Sequence, residues 1–249
     1  MDLAMASVSQ SVSRCIALYA LFADRKSGLT GAEIAEHLDA PRSSVAALLK
    51  ELSELSMISL NRRTLTYLPT LKFAQLGAWL IDPGHFPPPL AELMEELQRE
   101  SGETVTASWP IDHEMEIIRV VKSRNPISFV AEIGQRLPLW YSSVGLAYLA
   151  SLSNQQIHAR WEKDRRALAK VPDLDSVIDA VSHVRTSGMA VVHGGVFAEA
   201  SAVAMLVGYE LDGRPLVVSI AGPEARIRTI QQRLTGLITR TFGSGIGLD

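Results

Sequence analysis

The sequence predicts an α+β chain in two parts: a small helical domain ending in a two-stranded wing, then a larger domain on a mostly antiparallel sheet. Three observations predict it. Residues 9–55 hold three short runs with apolar side chains at helical spacing, and at 57–69 the period changes to two. The segment "DPGHFPPP" at 82–89 is a dense structure breaker. Beyond it, strand-like runs predominate around 104–133 and 189–221.

Each element has its own signal. Val12, Ile16, Leu18, Tyr19 and Phe22 mark a first helix over 9–23, broken at Ser27-Gly28. Thr30 opens the second: with Glu33 it makes a capping box, and Ile34, Ala35 and Leu38 form the buried stripe. The turn Asp39-Ala40-Pro41 leads into a third helix, with Pro41 tolerated in its opening turn. There Val45, Leu48, Leu49, Leu52 and Leu55 share one face, while Ser43, Ala46, Ala47, Lys50 and Glu54 point the other way. "MISLNRRTLTYLP" reads as two short strands around Asn61-Arg62-Arg63, so the plan is a winged helix-turn-helix. Residues 70–81 read as helix. The expected division is a first domain at 1–76, a linker at 77–89 and a second domain at 90–249. In the second domain Leu90, Leu93, Met94 and Leu97 mark a helix ending near Gly102. Strands are expected at 104–109, 115–122 and 127–133, then helices near 143–151, 154–163 and 174–187. Strands near 189–193, 201–209 and 215–221 precede a last helix from Pro223 to Thr241.

Composition narrows the function. The 249 residues carry a net charge of −3, so any nucleic-acid binding comes from a local patch. A single cysteine, Cys15, excludes an internal disulfide framework or a multi-cysteine zinc site and suits a reducing cytoplasm. The N-terminus lacks a secretory pattern, and no apolar run reaches the roughly 20 residues of a membrane span. The six histidines show no close metal-ligand spacing, and no nucleophile elbow or phosphate loop is present. His113 stands at an expected hairpin turn, and "HGG" at 193–195 marks another. No enzyme activity, metal or cofactor is expected.

The run "GLTGAEIAEHLDAPRSSVAALLKELSELSMI" resembles the DNA-binding domain of IclR-type bacterial transcriptional regulators. "IGQRLPLWYSSVGLAYLASLS" (133–153), "VRTSGMAVVHGG" (184–195) and "PLVVSIAGPEARI" (215–227) resemble later blocks of the same family, in the same order. The resemblance implies an N-terminal winged helix-turn-helix joined by a linker helix to a GAF-like antiparallel-sheet effector domain. It implies a homodimer or homotetramer on a near-palindromic double-stranded DNA operator, with a small organic or aromatic acid as effector and no membrane association. This chain departs from the family at Ala46 and Ala47, where larger polar residues are frequent, and at Leu206, where proline is usual. It also lacks the common glutamate near Gly195 and carries Trp140-Tyr141 in a loop that is usually small or polar.

The candidate DNA contacts are Arg42, Ser43, Ser44, Ala46, Ala47 and Lys50 on the third helix, with Arg62 and Arg63 at the wing tip. Residues 1–80 carry only one more basic than acidic residue, so charge alone favours a solvated helix face with an ordinary charged turn, and the helix plan and the resemblance reverse that. Arg42 is suited to a guanine edge or a phosphate, and alanine methyls to thymine methyls. Carried over by position, the effector pocket would be lined by Ala131, Ile133, Trp140, Ser143, Val144, Gly145, Ala202, Ala204, Ser219 and Ala221. Ser143 begins a helix, where a hydroxyl and free backbone N–H groups suit a carboxylate. The same small residues also suit close packing of helix on sheet, and Trp140 suits core packing. A small-molecule sensor acting through protein contacts, without specific DNA binding, is the alternative function.

Overall fold

The computed structural model describes residues 9–81 and 86–243, without the side chains of 78–81. Residues 82–85 of the expected linker lie outside the described residues. The chain divides into two compact units at the step from His85 to Phe86.

In the first unit α1 (Gln10–Arg25) ends at Lys26, whose left-handed conformation (φ 51°) returns its N–H to the Phe22 carbonyl. A two-residue strand, β1 (Leu29–Thr30), precedes α2 (Gly31–His37) and is too short to show a period. The capping box is present: Thr30 Oγ1 accepts from the Glu33 N–H at 3.3 Å, and Glu33 Oε2 accepts from the Thr30 N–H at 2.7 Å. α3 (Arg42–Glu54) buries Val45, Leu49 and Leu52 against Leu18, Phe22, Ile34 and Ile58. Leu55, expected in that stripe, is 60% exposed, because the helix ends there and Ser56 (φ 58°) turns the chain away. Val12 and Ile16 of α1 are also exposed. β2 (Ile58–Asn61) and β3 (Thr66–Pro69) form the wing in a sheet of order β1-β3-β2. α4 (Leu71–Ile81) follows after Thr70, and its Phe73 stacks on Tyr19 with ring centroids 3.9 Å apart.

The second unit runs α5 (Pro88–Ser101), β4 (Thr104–Ile111), β5 (Glu114–Val121), β6 (Arg136–Pro138), α6 (Ser143–Leu149), α7 (Asn154–Ala167), α8 (Leu174–Ser187), β7 (Ala190–His193), β8 (Ala200–Leu211), β9 (Arg214–Pro223) and α9 (Glu224–Phe242). Its sheet has the order β6-β5-β4-β9-β8-β7, with every neighbouring pair antiparallel. Strand alternation sends Val105, Ala107, Val203, Met205, Val218 and Ile220 into one core with Leu97 of α5 and Leu234 of α9. Ile117, Ala204 and Val217 enter a second core with Val144 of α6 and Val181 of α8.

The strand expected at 127–133 is irregular backbone, and the short strand falls at 136–138 instead. Pro126 opens that segment, Gly134 (φ 84°) closes it, and Thr104 Oγ1 donates to the Phe129 carbonyl at 2.6 Å. Ile127, Val130 and Ile133 stand 71–74% exposed, so their apolar character does not mark a buried strand face. The segment is pinned from below. Glu103, fully buried, pairs with both the Nε–H and an NH2 group of Arg226, and that NH2 group also donates to the Ile127 carbonyl at 2.8 Å. The carboxylate bond holds the Arg226 guanidinium above its already high ordinary value.

Candidate functional site

On α3, Arg42, Ser43, Ala46, Ala47 and Lys50 are exposed and Ser44 is half-buried, so one strip faces outward from the N-terminal end of the helix. Pro41 caps the helix without a side-chain bond, leaving its first turn open to a partner. Lys50 Nζ lies 3.8 Å from Glu54 Oε1, but both side chains are mostly exposed, and such a pair is weak enough to exchange. The wing tip is shaped by Asn61, whose Oδ1 accepts from the Arg63 N–H at 3.0 Å and the Thr64 N–H at 3.4 Å. Leu65 (φ 56°) completes the turn. Arg62 and Arg63 stand exposed there, and neither they nor Arg42 form an ion pair among the described residues. Three free guanidinium groups and two methyls suit close approach to a phosphate backbone and a groove floor.

The second unit contains a cavity of about 490 Å³, its open mouth included, between the α6 side of the sheet and the loops that follow β5 and β7. No charged residue lines it. Phe129 and Phe197, with ring centroids 5.5 Å apart, form part of its wall. Its hydroxyl residues are Thr106 of β4 and Ser219 of β9, whose Oγ1 and Oγ lie 2.9 Å apart, Ser142 and Ser143 at the start of α6, and Ser201 of β8. Ser142, not Ser143, is the helix cap, and its Oγ accepts from the Gly145 N–H at 3.1 Å. One first-turn donor expected to be free is therefore taken within the chain.

Of the ten residues expected to line the pocket, Ser143, Val144, Ala202, Ser219 and Ala221 do so. Ala131 and Ala204 are buried in the core beneath, and Ile133 is 71% exposed on the irregular segment. Trp140 is 2% exposed and donates its indole N–H to Asp164 Oδ2 at 3.0 Å, which fastens the loop before α6 to α7. Gly145 is a packing residue: a Cβ there would meet the Leu139 carbonyl oxygen at 2.0 Å, so only glycine lets α6 approach that backbone. Thr106, Ile117, Phe129, Ser142, Val192 and Phe197 line the cavity without having been expected. "TVTAS" at 104–108 did carry a signal for Thr106, as hydroxyl and apolar residues alternate along a strand. The "HGG" turn follows β7, and His193 bonds Ser201 Oγ through Nδ1 and Gln231 Oε1 through Nε2. A second, larger hollow, bordered by His113, Arg160, Lys163 and Asp164, is polar and mixed in charge, as expected of a solvated surface rather than an enclosing site.

A winged helix with a free basic edge, followed by a separate sheet domain that encloses an uncharged cavity, defines a DNA-binding regulator with a ligand-sensing domain. Residues 11–61 match the IclR helix-turn-helix domain, and residues 90–242 match the bacterial transcriptional regulator IclR C-terminal domain. The chain belongs to the IclR family of bacterial transcriptional regulators: it is a DNA-binding regulator with an effector-binding C-terminal domain, and not an enzyme. It is 25% identical over 232 residues to the DNA-binding transcriptional repressor YiaJ of Escherichia coli, covering 90% of this chain and 82% of that protein. Its fold is similar to that of an IclR transcriptional regulator from Alicyclobacillus acidocaldarius, with a TM-score of 0.73, 22% identity and coverage of 93% and 94% of the two chains. It is also similar to an IclR homolog from Microbacterium hydrocarbonoxydans in complex with 4-hydroxybenzoate, with a TM-score of 0.71, 15% identity and coverage of 93% and 98%. Among the described residues no helix is long and apolar enough to cross a membrane.

Proposed function

We propose that the chain is a cytoplasmic regulator that binds a near-palindromic operator as a homodimer or homotetramer, under control of a small organic or aromatic acid. The observation that carries the DNA reading is the exposed strip of α3 between Arg42 and Lys50, beside the unpaired Arg62 and Arg63. In this reading Arg42, Ser43 and Ser44 contact base edges and phosphates, while Ala46 and Ala47 allow close approach and meet thymine methyls. Lys50, Arg62 and Arg63 contact phosphates. Pairing through α1 and α4 is supported by Val12, Ile16, Leu71 and Leu76, each 55–81% exposed. The acid reading is supported by the aromatic and hydroxyl lining of the cavity and by the 4-hydroxybenzoate bound to one structural neighbour. The effector switches the operator only if it distinguishes two arrangements of the paired chains.

Gel shift on the protein's own upstream DNA, titrated with salt and with organic and aromatic acids, tests the reading. The expected result is preference over scrambled DNA, a steep salt dependence and a shift with at least one acid. Replacing Arg62 and Arg63 by alanine flattens the log–log salt slope by about 2 per chain. Equal affinity for operator and scrambled DNA would refute sequence-specific binding.

A further inference from the structure

The strand β4 carries a row of buried hydroxyls whose bonding changes step by step. The period of two places Thr104, Thr106 and Ser108 on one face, while Val105 and Ala107 enter the core on the other. The register with β9 is unbroken, setting Thr106 opposite Ser219 and Ser108 opposite Val217, and the irregularity at 107/108 concerns only the pairing with β5. All three side chains are buried. Thr104 is committed to the Phe129 carbonyl. Thr106 and Ser219 share one hydrogen bond, and neither has another protein partner among the described residues. Ser108 Oγ, fully buried and outside the cavity lining, has none among the described residues.

Two hydroxyls joined by one hydrogen bond use one of their two O–H groups. The other O–H stays free, with lone pairs on both oxygens. In a cavity wall such a pair is complemented by a group that both donates and accepts. A carboxylate only accepts and an ammonium only donates, whereas a neutral hydroxyl does both. Ser201 supplies no further hydroxyl to this set. Its Oγ is bound to His193, which reaches Gln231 of α9 on the opposite face of the sheet.

We propose that Thr106 and Ser219 form a subsite for a neutral hydroxyl on the effector, so that the cavity selects hydroxylated aromatic acids over unsubstituted ones. The proposal rests on the reading of the cavity as an aromatic-acid site. It makes Thr106 and Ser219 specificity-determining residues.

Calorimetric titration of the full chain with benzoate and with 2-, 3- and 4-hydroxybenzoate tests this, in the wild type and in Thr106→Val and Ser219→Ala. The best hydroxybenzoate is expected to bind the wild type about tenfold or more tighter than benzoate. In either variant that ratio falls towards one. Melting curves establish that each variant is folded. If Thr106→Val fails to fold, Ser219→Ala and the wild-type ratio still decide the matter. A wild-type ratio near one, or a ratio that survives in a folded variant, overturns the subsite. Binding of none of the four probes by the wild type overturns the aromatic-acid reading itself, and the subsite with it.

Discussion

The outward face of α3 and the cavity of the sheet domain are built on opposite terms. On α3 the residues proposed to contact DNA are exposed or half-buried, and they share no atoms with the core formed by Val45, Leu49 and Leu52. In the cavity wall, Ser143, Ser219 and Thr106 are themselves buried, so the site residues are part of the packed interior. A helix surface thus separates recognition from stability, whereas a sheet wall ties them together. The same substitution has different consequences in the two places, and that difference can be measured.

The largest expected effect is behind the cavity. Gly145→Ala sets a Cβ against the Leu139 carbonyl oxygen, which neither backbone can easily yield. The cost is about 3 kcal/mol or more, read as a lower urea midpoint for the sheet domain, with the winged unit unaffected. An unchanged midpoint would mean that α6 moves freely, and the tie between wall and core would be lost. Arg42→Ala should do the reverse. Operator affinity falls by about 1–3 kcal/mol, while unfolding stability stays within about 0.5 kcal/mol. A variant that melts early and binds normally would break the comparison from the other side.

Where the sequence was readable, the deciding interactions were local. Thr30 and Glu33 sit three residues apart and close their own capping box, so their spacing sufficed. The outward strip of α3 followed from helical period alone. Leu55 was misplaced because periodicity carries no mark for the last turn, and the end is set by Ser56 in a left-handed conformation. Ala131 and Ile133 were misplaced because the segment is apolar without pairing as a strand. Its path is fixed by Thr104 and Arg226, distant in sequence. Trp140 answers to Asp164 on α7, and Gly145 to the backbone of Leu139, which only the folded loop brings near. Thr106 was half-legible. The alternation in "TVTAS" showed a hydroxyl face, but only its pairing with Ser219 on β9 made that face part of a cavity.

The smallest expected effect sharpens the comparison within the winged unit. Thr30 belongs to β1, where it pairs with Thr66, and it also caps α2. Thr30→Ala should cost about 1 kcal/mol of that unit's stability and leave the sheet domain unchanged. The bond has a pH signature as well. The Thr30 backbone N–H, and then its hydroxyl, hold the Glu33 carboxylate below the ordinary glutamate range. A carboxylate lowered in the folded state stabilises above its unfolded value, and that contribution is lost as pH falls through the folded value. Melting of the winged unit should therefore decline on the acid side, measured from about pH 5 down to about pH 3. Glu33→Gln should melt lower than wild type at neutral pH and converge with it in acid, by a margin kept small by solvent exposure. A difference that stays constant across that range would show that Glu33 acts through helix propensity and not through the carboxylate it presents to Thr30.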